Sequence, residues 1–150
     1  MRHNSLSINA IGAIVLSAML SIMTIGAFTS GVANAATVQQ DSGTWIKKSK
    51  RIKGGWTIEK RGDQHVISFS DKFKTSTGPD LKVFLSPQTI DTVTGKNATD
   101  GAVLVSALKN NKGSQEYVLP ENIDVSQFNS LLIHCEAYSV LWGGSNIAGL

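Results

Sequence analysis

Apolar residues recur at every other position in a series of short runs over the last two thirds of the chain, and Gly, Pro and Asn punctuate them. Trp56 and Ile58 alternate with Thr57 and Glu59, Arg61-Gly62-Asp63 interrupts, and His65-Val66-Ile67-Ser68-Phe69 resumes the extended pattern. A period of two places successive side chains on opposite faces of a strand, and a glycine-centred triplet supplies a tight turn, so the stretch predicts a β-hairpin. Leu81, Val83 and Leu85 share one face of a third strand, ended by Pro87. Residues 102–108 fit a buried strand or one short helix, because so few positions carry no decisive period. Gln115 to Leu119 predict another strand, closed by Pro120. The apolar run over residues 131–138 is the clearest strand, with Leu131, Ile133, Cys135 and Ala137 on one face and Leu132, His134, Glu136 and Tyr138 on the other. Val140-Leu141-Trp142 extends it as far as Gly143-Gly144. Many short strands with turn punctuation predict an all-β fold, a small antiparallel β-sandwich or barrel-like domain.

The first 35 residues follow a different pattern. Arg2 and His3 precede an apolar run over residues 8–28, and Ala33-Asn34-Ala35 offers small residues at a peptidase site. These are the three parts of a secretory signal. The run approaches the length of a membrane span, yet Ser17, Ser21, Thr24 and two glycines dilute it. The expected organisation is a signal peptide with its helix at residues 1–35, a flexible lead-in at 36–42 and the β domain at 43–150. Cleavage leaves no stable membrane anchor, and the location is periplasmic or extracellular.

Composition narrows the chemistry. The chain of 150 residues carries a formal charge of +3, and removal of Arg2 with the signal leaves a balance too mild to imply nucleic acid. Five positive charges concentrate at Lys47, Lys48, Lys50, Arg51 and Lys53, fitting a solvated loop or edge strand, or contact with an anionic envelope polymer or lipid headgroup. No nucleophile elbow, zinc-protease helix, phosphate-cradling glycine loop or calcium loop is present, which leaves the familiar hydrolase and nucleotide-binding functions without footing, and an autonomous enzyme is not the favoured expectation.

The single cysteine, Cys135, cannot close a disulfide within its own chain. Its apolar face suits a buried, inert thiol; an oxidising compartment adds weight to the other reading, a redox-active thiol or a soft ligand for metal or haem iron, so that Cys135 is either protected or purposeful. His134 and Glu136 lie on the opposite face, as a surface pair or an acid/base pair, and the pleat keeps His134 and Cys135 from gripping one ion without a bulge. Gly78-Pro79-Asp80 reads as a structural turn in which the Asp80 side chain bonds nearby amides. Trp45, Trp56 and Trp142 fit core or rim packing.

Taken together, Gly55-Trp56, the segment from Gly78-Pro79-Asp80 through residue 86, residues 108–113, Gln115 to Pro120, and Ile133-His134-Cys135-Glu136 through Leu141-Trp142-Gly143 resemble the DM-thirteen domain family. The resemblance spans residues 43–147 in the family's order. It implies an extracytoplasmic β-rich domain whose cysteine, matching Cys135, works in electron transfer as a free thiol or through a prosthetic group such as haem. It further implies a separate redox partner protein or envelope component, since the chain carries no second domain of the kind that accompanies it elsewhere. The alternative is a non-catalytic adhesion or binding domain with Cys135 as part of the core.

Overall fold

A computed structural model describes residues 40–147. The expected signal peptide and residues 36–39 of the lead-in lie outside the described residues. The described chain forms β1 (Gln40–Thr44), β2 (Ile46–Lys47), β3 (Gly55–Arg61), β4 (Gln64–Phe69), β5 (Leu81–Ser86), β6 (Val103–Ala107), β7 (Gln115–Val118), β8 (Ser130–Cys135) and β9 (Val140–Asn146). Every pairing is antiparallel, in one sheet ordered β1-β3-β4-β7 and another ordered β2-β9-β8-β5-β6. The fold is therefore all-β, with two separate sheets.

Alternation builds the core. Trp56 and Ile58 of β3, Ile67 and Phe69 of β4 and Tyr117 of β7 meet Val83 and Leu85 of β5 and Leu131, Ile133 and Cys135 of β8 between the sheets. Removing this apolar surface from water drives the two sheets together. Trp45, at the point where the chain leaves β1 for β2, packs edge-on against Phe69 with ring centroids 4.9 Å apart. The predicted hairpin is β3–β4, closed where Arg61 pairs with Gln64 and Gly62 takes φ +62.

The central strands of the second sheet, β5, β8 and β9, are buried on their other face as well. Phe84, Leu132 and Leu141 pack there against Ile90, Val93 and Ala98 of the connection over residues 87–102. Burial on both faces explains why β5 and β8 read as continuous apolar runs.

Four sequence expectations are corrected. The run over 131–138 is not one strand: β8 stops at Cys135, Glu136–Tyr138 form a 3-10 turn, and Ser139 at φ 50 reverses the chain. Val140 then opens β9, an antiparallel neighbour of β8 rather than its extension. Gly143 and Gly144 lie inside β9, where a Cβ would come within 2.4 Å of the Ile46 carbonyl and 2.5 Å of Ile90 Cδ1. They admit close neighbours on both faces instead of breaking the chain. Finally, Gln40 to Ser42, expected in the lead-in, pair with Glu59 to Thr57 as part of β1. The ambiguous residues 102–108 resolve as β6, at the edge of the second sheet.

Candidate functional site around Cys135

Cys135 ends β8, where it pairs with Leu81 of β5 on one side and Val140 of β9 on the other. Its side chain faces the interior and is 2% exposed, in the cluster that includes Leu81, Ile133 and Trp142. Trp142 is the extra residue of a bulge: Ile133 pairs with Gly143 and His134 with Leu141. The bulge puts Trp142 into the core beside Cys135's sheet neighbours and leaves His134 and Cys135 on opposite faces.

Gly78-Pro79-Asp80 lies over this end of the core. A Cβ on Gly78 would fall 2.7 Å from Trp142 Cζ2 and 3.0 Å from Leu81 Cδ2, so only glycine lets the turn sit this close. Beside the turn opens a cleft of about 440 Å³, bounded by Gly78, Pro79, Leu81, Leu108 and Asn110 among others. It reaches Leu81, the ladder partner of Cys135, and stops there.

On the outer side stands a charged group. The Glu136 amide donates to the Asp80 carbonyl at 3.0 Å. Lys82 Nζ pairs with the Glu136 carboxylate and lies 3.5 Å from Asp80 Oδ2. The hydrogen bond to Glu136 raises the Lys82 pKa above its ordinary value, with both carboxylate charges adding to the effect. Asp80 thus turns its carboxylate to Lys82 instead of to backbone amides, a correction to the sequence expectation. Lys82, which sequence reasoning missed, could have been noticed as the lone cation within the apolar run of β5.

His134 is opposite Lys82 in the β5–β8 ladder, yet it is 2% exposed and its ring sits edge-on to Phe84 at 6.1 Å. Nδ1 is buried without a hydrogen-bond partner. Burial lowers the His134 pKa below 6.5, while the charges of Glu136 and Asp80 pull the other way. The imidazole is neutral at pH 7. The surface pair expected between His134 and Glu136 does not form, because the strand ends between them and Glu136 turns to Lys82.

Haem or metal ligation by Cys135 does not fit these residues. The sulfur is enclosed by apolar side chains, the cleft does not include Cys135 in its wall, and His134 faces away. Among the described residues no group of three or more His, Cys, Asp or Glu side chains converges as a metal site.

A two-sheet antiparallel sandwich with one shielded thiol at the end of a central strand defines a small cysteine-bearing β domain. Residues 44–147 match the family model described as Electron transfer DM13, and the chain belongs to that family. No curated protein and no solved structure matches the chain.

Proposed function

We propose that the protein is an exported, non-enzymatic electron-transfer module in which Cys135 is the working atom. The supporting observation is the placement of the family's single thiol: it stands one ladder partner, Leu81, away from the cleft beside Gly78-Pro79-Asp80. A lone sulfur cannot close an intrachain disulfide, so its disulfide state is a mixed disulfide, formed when the Cys135 thiolate attacks a disulfide of a separate redox partner and releases that partner's other sulfur as a thiol. Access to the sulfur requires the turn and Leu81 to move, which makes the reactivity gated. His134 and Glu136 contribute from the opposite side, through the neutral ring that packs the outer face and the ion pair that ties the Asp80 turn to Cys135's end of β8.

Labelling kinetics of the folded protein with a thiol reagent test this. Slow labelling is expected through a local opening that costs less than global unfolding, and Leu81→Ala should accelerate it about tenfold or more relative to each variant's own unfolding free energy, with Cys135→Ser unreactive and folded. Labelling that tracks global unfolding in both proteins overturns the proposal.

A second function is favoured by the 2% exposure of Cys135: a binding domain in which the thiol is only core. Cys135→Ala would then retain every interaction with envelope components, whereas the redox module loses its coupling to the partner.

A further inference from the structure

Beyond the ends of β3, β4 and β7, three short segments are stitched side by side. Lys53 and Lys74 exchange backbone hydrogen bonds, Lys53 N to Lys74 O at 2.9 Å and Lys74 N to Lys53 O at 3.2 Å. Lys74 in turn pairs with Lys112, flanked by Thr75 N donating to Asn111 O at 2.8 Å and Gly113 N donating to Phe73 O at 2.9 Å. Residues directly opposed in antiparallel pairing have Cα atoms about 4.5–5.5 Å apart and side chains on one face. Three lysines therefore start shoulder to shoulder. Arg51, two residues before Lys53, joins them, while the intervening Ile52, Phe73 and Thr75 are buried.

The register is locked. Gly54, at φ +88, passes so close to the neighbouring segment that a Cβ would lie 2.6 Å from Phe73 N. Thr75 Oγ1 also donates to the Arg51 carbonyl at 3.2 Å. Like charges held directly opposite one another destabilise a sheet, and nothing in the packing asks for lysine at these exposed positions. Among the described residues no carboxylate pairs with Arg51, Lys53, Lys74 or Lys112; the ion pairs are at Arg61 and Lys82. Arg51, Lys53, Lys74, Thr75 and Ser76 enclose a cleft of about 270 Å³. A fixed row of uncompensated cations around a concavity is an arrangement that a bound oxyanion would neutralise.

We propose that this cleft is a phosphate-binding site that engages a linear polyanion with repeated phosphate groups. The cleft takes one phosphate between Arg51, Lys53 and Lys74. Lys112 extends the row beyond it, about 10 Å from Lys53 by the ladder spacing, toward a neighbouring phosphate of the same chain. The site is separate from Cys135, and it gives the binding-domain alternative a place and a ligand class without depending on the redox function.

The test is titration calorimetry of the folded protein with linear polyphosphate, inorganic phosphate and phosphatidylglycerol vesicles, on wild type, Lys53→Gln/Lys74→Gln and the control Lys60→Gln/Lys96→Gln. Polyphosphate is expected to bind wild type and the control alike and the first variant at least about tenfold more weakly. The slope of log affinity against log salt should fall by about 2 in that variant. Without ligand and at low salt, it should melt no lower than wild type, since repulsion has been removed, so a loss of binding is not a loss of fold. Absence of polyphosphate binding, equal weakening in the control, or binding confined to vesicles overturns the proposal. Inorganic phosphate competing with polyphosphate supports it, and competition undiminished in the Lys53/Lys74 variant overturns it.

Discussion

At the residue scale the determining contrast is between two adjacent side chains, His134 and Cys135, that the pleat sends to opposite faces of one sheet. The Cys135 thiol is free and buried among apolar groups. Cys135→Ser should therefore cost about 1–3 kcal/mol, through an unpaired buried hydroxyl, and Cys135→Ala less, about 1 kcal/mol, through a small cavity. Urea denaturation of both variants checks the order; a serine variant as stable as wild type would show the side chain to be solvated. His134 supplies a pH dependence. Its folded pKa is lowered, first by burial, so below pH 6.5 the unfolded chain takes up a proton that the folded chain refuses. Its contribution to stability is full above that pH and declines as pH falls toward the folded pKa. Comparing urea midpoints of wild type and His134→Leu from pH 7.5 to 5 should show a shallower decline in the variant, and equal slopes would contradict the assignment. That Nδ1 is left without a partner is not legible in the run of residues, because it depends on Phe84 and the connection over residues 87–102 closing over the ring's face of the sheet.

Among the elements, β9 departs furthest from its sequence appearance. Gly143-Gly144 has the composition of a break, but its two missing side chains make room for Ile46 and Ile52 on one face and Ile90 and Leu132 on the other. A strand with small residues on both faces is thus the platform on which β2 and the 87–102 connection dock. Gly144→Ala is expected to lower stability by about 1–3 kcal/mol, since the Leu131 carbonyl at 2.7 Å is backbone and cannot give way. Hydrogen exchange at the Ile90 amide, which donates to Asn146 Oδ1 at 2.8 Å, should rise in the same variant. Unchanged protection there would mean that the connection is held elsewhere. The end of β8 has a similar cause. Apolar character continues past Cys135, but the left-handed Ser139 and the Lys82 pairing of Glu136 turn the chain, and neither is expressed in hydrophobic period.

For the whole molecule, β1 tests how far the first sheet depends on its edge. Gly43 is so close to the Trp56 ring that a Cβ would come within 2.8 Å of Cζ2, so β1 covers a core tryptophan. Melting of a chain beginning at residue 36 and of a chain beginning at residue 45 measures that contribution. The chain beginning at residue 45 should melt lower, by about 4–8 °C for each kcal/mol lost. Equal melting of the residue-36 and residue-45 chains would show β1 to be dispensable. What the sequence determined by itself was local: the alternating periods of β3, β4, β5 and β7, the hairpin turn at Gly62, the apolar face carrying Leu131, Ile133 and Cys135, and the set of motifs that marks the family. These depend on neighbours within a few residues, where periodicity and turn chemistry act. Tertiary structure alone decided the enclosure of Cys135 behind Leu81, the Lys82 pairing of Glu136, the burial of His134 and the alignment of Lys53, Lys74 and Lys112. Each joins segments distant along the chain, and such contacts are set by sheet register and packing, which no single run of residues encodes.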